Sequence, residues 1–329
     1  MFRSAVVFRI NRDFALPPLA LFADALARAA FLPCGATQAE SMGWVAPRGN
    51  KSDVLVESVV GGVILQLQTE RRQVPASAIA EAVEAKVERY KQETGREGVG
   101  SKLKKEFKEE ALLDLLPRAF TKKSSVLVWV GVIDGFLVVD AGSPGGADKV
   151  VSALVAAIAE CGEIYRMACT IKPLQTNQSP AASMAFWLGS QASPHNFSVD
   201  RECELKTPDD QKSTVRYDRH TLEIDEIVKH IESGKVPTKL ALTWNERVSF
   251  VLNDAGCLGK ITMLDVVLDG KDKAGKDDDG FNADIAIATG ELAGLIPGLI
   301  DALGGELGVA AETETETETD SVQEVSEVF

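Results

Sequence analysis

The run Ser4–Asn11 (S-A-V-V-F-R-I-N) predicts a strand. From Pro17 to Ala30 the pattern turns helical, with Leu19, Phe22 and Leu26 along one side and Pro17 and Pro18 suited to the first turn. Ser52–Val60 and Val63–Gln68 read as two strands joined at Gly61-Gly62. Ile79, Val83, Val87 and Tyr90 then recur at spacings of four, four and three, which places them on one helical face. Gly95–Gly100 breaks that helix. A second runs from Ser101 to Leu116 on a stripe of Leu103, Phe107 and Ala111, and Pro117 ends it.

Beyond it, Ser124–Val132 and Phe136–Asp140 flank Asp134-Gly135, a hairpin signal. Pro144–Ala159 predicts a helix with Val150, Leu154 and Ile158 aligned, Ile164–Ile171 a strand, and Pro180–Leu188 a short helix. The polar stretch His195–Arg219 allows short strands at most. Leu222–Ser233 reads as a helix stopped by Gly234. Val236–Trp244 and Val248–Asn253 read as a hairpin that Leu258–Leu264 extends. Asp269–Gly280 reads as a charged loop, and Asp284–Leu303 as a strand followed by a helix broken near Pro297. Hairpins interspersed with helices, without strict strand–helix alternation, predict an α+β fold of mixed antiparallel sheets and helices.

Composition adds boundaries. No run of eighteen apolar residues occurs, so no membrane-spanning helix is expected. The N-terminus lacks the plan of a signal peptide, which points to the cytoplasm. Five cysteines, odd in number and without a C-x-x-C pair, read as reduced thiols. Three histidines show no metal-ligand spacing. The net charge is −14, but it is unevenly spread. Residues 71–123 carry thirteen basic and nine acidic groups, net +4, whereas residues 271–329 carry three and fifteen, net −12. Screening over roughly 8 Å lets a basic surface persist beside a distant acidic segment.

Candidate chemistry is sparse. Gly95–Lys102 has Ser and Lys in the wrong order for a phosphate loop, and a helix precedes it. Ala141–Gly146 precedes a helix but has no dinucleotide form and reads as a turn. There is no nucleophile elbow, and Asp277–Asp279 lacks the calcium-loop pattern. Neither an enzyme nor a cofactor or metal site is expected. Two basic clusters stand out: Lys102, Lys104, Lys105 and Lys108 on one helix with Arg118, Lys122 and Lys123 after it, and Lys212, Arg216, Arg219 and His220 in the polar segment. Each reads either as a solvated surface, the first balanced by Glu106, Glu109 and Glu110, or as a contact for duplex phosphates. Neither is interleaved with aromatics for base stacking.

Longer strings narrow the choice. F-L-P-C-G at Phe31–Gly35, S-M-G-W-V-A-P-R-G at Ser41–Gly49 and L-L-P-R-A-F at Leu115–Phe120 resemble the RdgC family. So do G-K-V-P-T-K-L-A-L-T-W at Gly234–Trp244, T-G-E-L-A-G-L-I at Thr289–Ile296 and L-G-G-E at Leu303–Glu306. The resemblance covers about residues 1–306 and implies a nucleoid-associated homodimer closed into a ring around double-stranded DNA. It implies sequence-independent binding, restraint of the RecA recombinase, RecA as a further partner, and a link to replication repair. It implies a central domain of residues 1–75 and 121–180, a helical tip of residues 76–120 bearing the gate contact Arg118 and Phe120, and a base domain of residues 181–305. Residues 306–329 are expected to form a disordered acidic tail. Arg219 and His220 match the position of the family's basic finger, although Asp218 and His220 depart from its lysine-rich pattern. The rival reading is an interaction protein that inhibits RecA directly and touches DNA incidentally.

Overall fold

A computed structural model describes residues 1–11, 13–208, 213–222, 225–268 and 280–308. Two antiparallel sheets organise it. The larger joins β1 (Val6–Ile10), β2 (Glu40–Val45), β3 (Glu57–Val59), β4 (Gly62–Gln73), β5 (Phe120–Gly131), β6 (Phe136–Val139) and β7 (Ile171–Pro173) in the order β2-β4-β5-β6-β1-β7, with β3 also on β4. The smaller joins β8 (Phe197–Lys206), β9 (Thr214–Asp218), β10 (Val236–Trp244), β11 (Val248–Asn253) and β12 (Leu258–Met263) in the order β12-β11-β10-β8-β9. The α+β expectation holds at this level.

The two faces of the larger sheet belong to different cores, as strand alternation requires. Val6, Phe8, Val63, Leu65, Leu67, Val128 and Val130 pack beneath α1 (Leu19–Arg28) and α4 (Pro144–Glu160). Val7, Ile64, Trp129, Phe136 and Val138 join the core of the smaller sheet, with α6 (Pro180–Ser190) and α9 (Phe281–Ala302). Backbone bonds also cross between sheets: Ala5 N–H donates to Leu258 O at 2.8 Å and Leu258 N–H to Ala5 O at 2.9 Å.

Several expectations are corrected. Ile164–Ile171 is a helix, α5 (Glu163–Ala168), followed by only the three residues of β7; Gly162 turns the chain at φ 131°, and Arg166 pairs with Glu163 one turn back. Ser52–Val60 pairs as a strand only over β3. The polar stretch after His195 forms the ten-residue β8 and its partner β9, because its charges find opposite charges across strands. The helix read from Leu222 is α7 (Asp225–Glu232). Asp284–Leu303 begins with no strand: α9 already covers it from Phe281 and runs unbroken through Pro297; that residue is exposed, which puts the carbonyl facing its missing N–H on the solvent side. By length and composition α9 could cross a membrane, but Ile285, Ala288, Leu292, Leu295, Ile296, Leu299 and Ile300 are buried in the core. Gly294 admits Trp244: a Cβ there would stand 2.6 Å from the indole ring.

The charged loop read at Asp269–Gly280 lies outside the described residues save for Gly280, as do 309–329. Glu306 itself is largely covered and pairs with Arg9, whose guanidinium also lies 4.1 Å from the Phe136 ring centre.

Candidate nucleic-acid interface

The paired strands β4 and β5 continue beyond the core as a ribbon. Gln68↔Ser125, Thr69↔Ser124, Glu70↔Lys123, Arg71↔Lys122, Arg72↔Thr121 and Gln73↔Phe120 are its rungs, and β2 adds Glu40 beside Arg71 and Met42 beside Thr69. At its end sits a helical hairpin of α2 (Ala76–Thr94) and α3 (Ser101–Leu115). The left-handed Gly95 (φ 68°) closes α2, its N–H bonding Lys91 O. The predicted stripe Ile79, Val83, Val87 and Tyr90 forms a half-buried seam with α3, where Tyr90 and Phe107 meet edge to face at 6.0 Å. Lys86 crosses it to Asp114 at 2.9 Å and Glu110 at 3.1 Å. Of the two helices only Ala111 is fully buried.

The ribbon's faces separate residues that neighbour one another in sequence. Phe120, Lys122 and Ser124 share the face of Arg71 and Glu40; Lys123 lies on the opposite face beside Glu70, with its ammonium 5.4 Å from the Phe31 ring centre. Phe120 is 88% exposed, and Arg118, Lys122 and Lys123 are exposed too. On α3 the lysines are all exposed; Lys104 and Lys108 share a flank, Lys105 pairs with Glu109 at 3.9 Å, and Lys102 lies about 160° round the helix from Lys104.

Arg72 ties this region together. Its guanidinium donates to Leu116 O at 3.1 Å and Ala119 O at 3.2 Å, and to Gly35 O at 3.2 Å and Cys34 O at 3.4 Å. Glu70, two residues earlier on the same face, is buried and accepts from Cys34 N–H at 2.6 Å; that bond, before the opposing effect of burial, holds its carboxyl below the usual range. The turn bearing Arg118 and Phe120 is thereby fastened to the loop at Phe31–Gly35. Close packing continues at Gly43, where a Cβ would fall 2.4 Å from Phe31 Cα.

The second basic cluster lies on the smaller sheet. Arg216 is engaged by Glu204 on the neighbouring strand, while Arg219 (φ 55°) and His220 are exposed just past β9. Lys212 lies outside the described residues. Sequence reading missed Arg71, Arg72 and Lys149. The apolar pattern stops at Gln68 and starts at Ser124, although pairing takes β4 five residues farther and starts β5 four residues earlier. Among the described residues no group of three His, Cys, Asp or Glu side chains is placed to hold a metal ion.

A family model described as "Putative exonuclease, RdgC" matches residues 1–306. Among curated relatives, Recombination-associated protein RdgC of Janthinobacterium sp. (strain Marseille) is 38% identical over 307 residues, spanning 93% of this chain and 98% of the relative. The protein of that name from Dechloromonas aromatica (strain RCB) is 37% identical over 310 residues, and that from Bordetella pertussis (strain Tohama I / ATCC BAA-589 / NCTC 13251) 33% over 306, with the same shares covered.

Proposed function

This chain belongs to the RdgC family, a recombination-associated family, and from that premise we propose that it binds duplex DNA without reading sequence, as a dimeric ring that restrains the RecA recombinase. The observation that carries the reading is the ribbon and its hairpin. In a chain of net charge −14, Lys104 and Lys108 stand exposed along α3, and Arg118 and Lys122 stand exposed at its base beside a solvent-facing Phe120. Cations on a projecting arm suit phosphate contact, which needs positioned charge and no base recognition. An aromatic side chain left 88% exposed at the base of a thin helical hairpin suits a small subunit contact. In this reading Phe120 and Arg118 close the ring, RecA filaments are obstructed by occupied duplex, the protein resides on the nucleoid in the cytoplasm, and no bond in DNA is cut.

The test compares retention on closed circular and linear duplexes as salt is raised. The wild type is expected to lose affinity about tenfold or more between 50 and 200 mM salt, to be indifferent to base sequence, and to outlast salt washes on circles better than on linear DNA. Phe120→Ser should abolish the difference between circle and line while leaving the salt dependence in place. Flat salt dependence, or equal retention of wild type and variant, overturns the encirclement reading. Loss of the DNA substrate itself would favour a nuclease. Absent duplex affinity with persisting inhibition of RecA would favour the adaptor.

A further inference from the structure

We propose that the Arg71 face of the ribbon is a phosphodiester-binding shelf formed by Arg71, Lys122 and Lys149, and that Glu40 is its built-in competitor. The inference rests on the duplex-binding reading and names a contact surface and a tuning residue for it. Register supplies the shelf. Glu40 stands opposite Arg71, and Arg71 opposite Lys122, so the three side chains cross β2, β4 and β5 on one face. Lys149 reaches the same carboxylate from α4, its ammonium 3.0 Å from one Glu40 oxygen and 3.4 Å from the other, while Arg71 Nε lies 3.0 Å away. Two cations therefore serve one carboxylate while Lys122 stands beside Arg71 on the next strand, and a positive excess remains. Two rungs inward, about 7 Å along the strands, Thr69 and Ser124 place two hydroxyls on this face. Two rungs outward stands Phe120.

The carboxylate occupies the position an incoming phosphate would take. Glu40 is held in its charged form chiefly by the Lys149 hydrogen bond, with Arg71 adding to it. It is nonetheless 32% exposed, and Arg71 and Lys149 are 57% and 50% exposed. Ion pairs this open to water hold their partners weakly. A phosphodiester, which accepts from Arg in a bidentate manner and draws in neighbouring ammonium groups, can displace Glu40 at small cost. Glu40 thus lowers duplex affinity and keeps bound protein exchangeable.

The experiment measures binding of the full chain to a mixed-sequence 30-base-pair duplex by fluorescence anisotropy across a salt series. Glu40→Gln is expected to tighten binding about three- to tenfold and to steepen the dependence of log K on log salt by about one phosphate's worth. Glu232→Gln, which removes one charge from an exposed site on α7, controls for the change in net charge and should shift affinity less than twofold. In an Arg71→Met/Lys149→Met background Glu40→Gln should yield no gain. A Glu40→Gln effect no larger than the control's, or one that survives loss of Arg71 and Lys149, overturns the proposal while leaving duplex binding intact. Failure of the wild type and every variant to bind duplex overturns both readings. Matching thermal melts of wild type and Glu40→Gln would confirm that the variant is folded.

Discussion

Glu204 sits on β8 with its side chain only 3% exposed, and cations converge on it from three positions. Lys206 lies at 2.8 Å, Lys239 at 3.6 Å and Arg216 in direct contact, and the Thr238 hydroxyl donates at 3.0 Å. These partners, Lys206 foremost, outweigh burial and bring the carboxyl down to about 2 from an ordinary 4.5. The sign of its pH dependence follows. In acid the unfolded chain takes up a proton at this position before the folded one does, so its contribution is complete above about pH 4.5 and lost as pH falls toward about 2. Glu204→Gln is expected to lower stability at pH 7 by about 1–2 kcal/mol, a moderate figure because the freed cations are half exposed and return to water. Chemical denaturation at pH 7 and pH 3 checks it: the gap between wild type and variant should narrow at pH 3, and a constant gap refutes the assignment. Arg216, legible as basic in the sequence, is thus already engaged by a buried carboxylate while most of its side chain stays open to solvent.

Among elements, the hairpin of α2 and α3 depends on what happens at its base. Its seam buries little, so its orientation is set by the four carbonyl oxygens that Arg72 gathers from the Leu116–Ala119 turn and the Cys34–Gly35 loop. Arg72→Met keeps the aliphatic stem but leaves those carbonyls without their donor, at an expected local cost of about 1–3 kcal/mol. Hydrogen exchange should then accelerate across α2, α3 and the turn before Phe120, while amides of β10 and β11 keep their protection; unchanged exchange in the hairpin would refute the bracing role. The sequence makes the hairpin itself plain, because Ile79, Val83, Val87 and Tyr90 repeat at helical spacing. It hides the ribbon. Beyond Gln68 and before Ser124 most side chains on either face are polar, so no alternation marks a strand, yet backbone pairing continues to Gln73 and Phe120. The candidate site shares this fate. Lys104 and Arg118 are visible as part of a basic run, whereas the Glu40–Arg71–Lys149 cluster joins positions more than a hundred residues apart and exists only through register and the placement of α4. Likewise the sequence predicts a break at Pro297, because proline normally ends a helix, whereas exposure of that one residue leaves the carbonyl it cannot bond within reach of water.

For the molecule as a whole, charge is the organising quantity. Residues 309–329 hold seven acidic side chains and no cation, half of the net charge of −14, and among the described residues Glu306 and Leu307 make the last contacts before them. Because Glu306 pairs with Arg9 and Leu307 N–H bonds Gln175 O at 3.0 Å, a truncation meant to remove only the acidic segment must cut after Gly308, since cutting earlier would strip contacts from β1 and the segment after β7. On the proposed duplex binding, the seven negative charges of this segment compete with DNA in proportion to their local concentration, and salt weakens that competition as it weakens phosphate contact itself. Removing residues 309–329 is therefore expected to raise duplex affinity about threefold or more at 50 mM salt and by less at 200 mM, where screening shortens the reach of each charge. The thermal midpoint should stay unchanged, because the Arg9–Glu306 pair is retained. Anisotropy titrations at both salt concentrations decide it. An affinity gain that is the same at both would mean the segment acts by something other than charge, and no gain at all would show that residues 309–329 do not compete for the proposed duplex-binding surface.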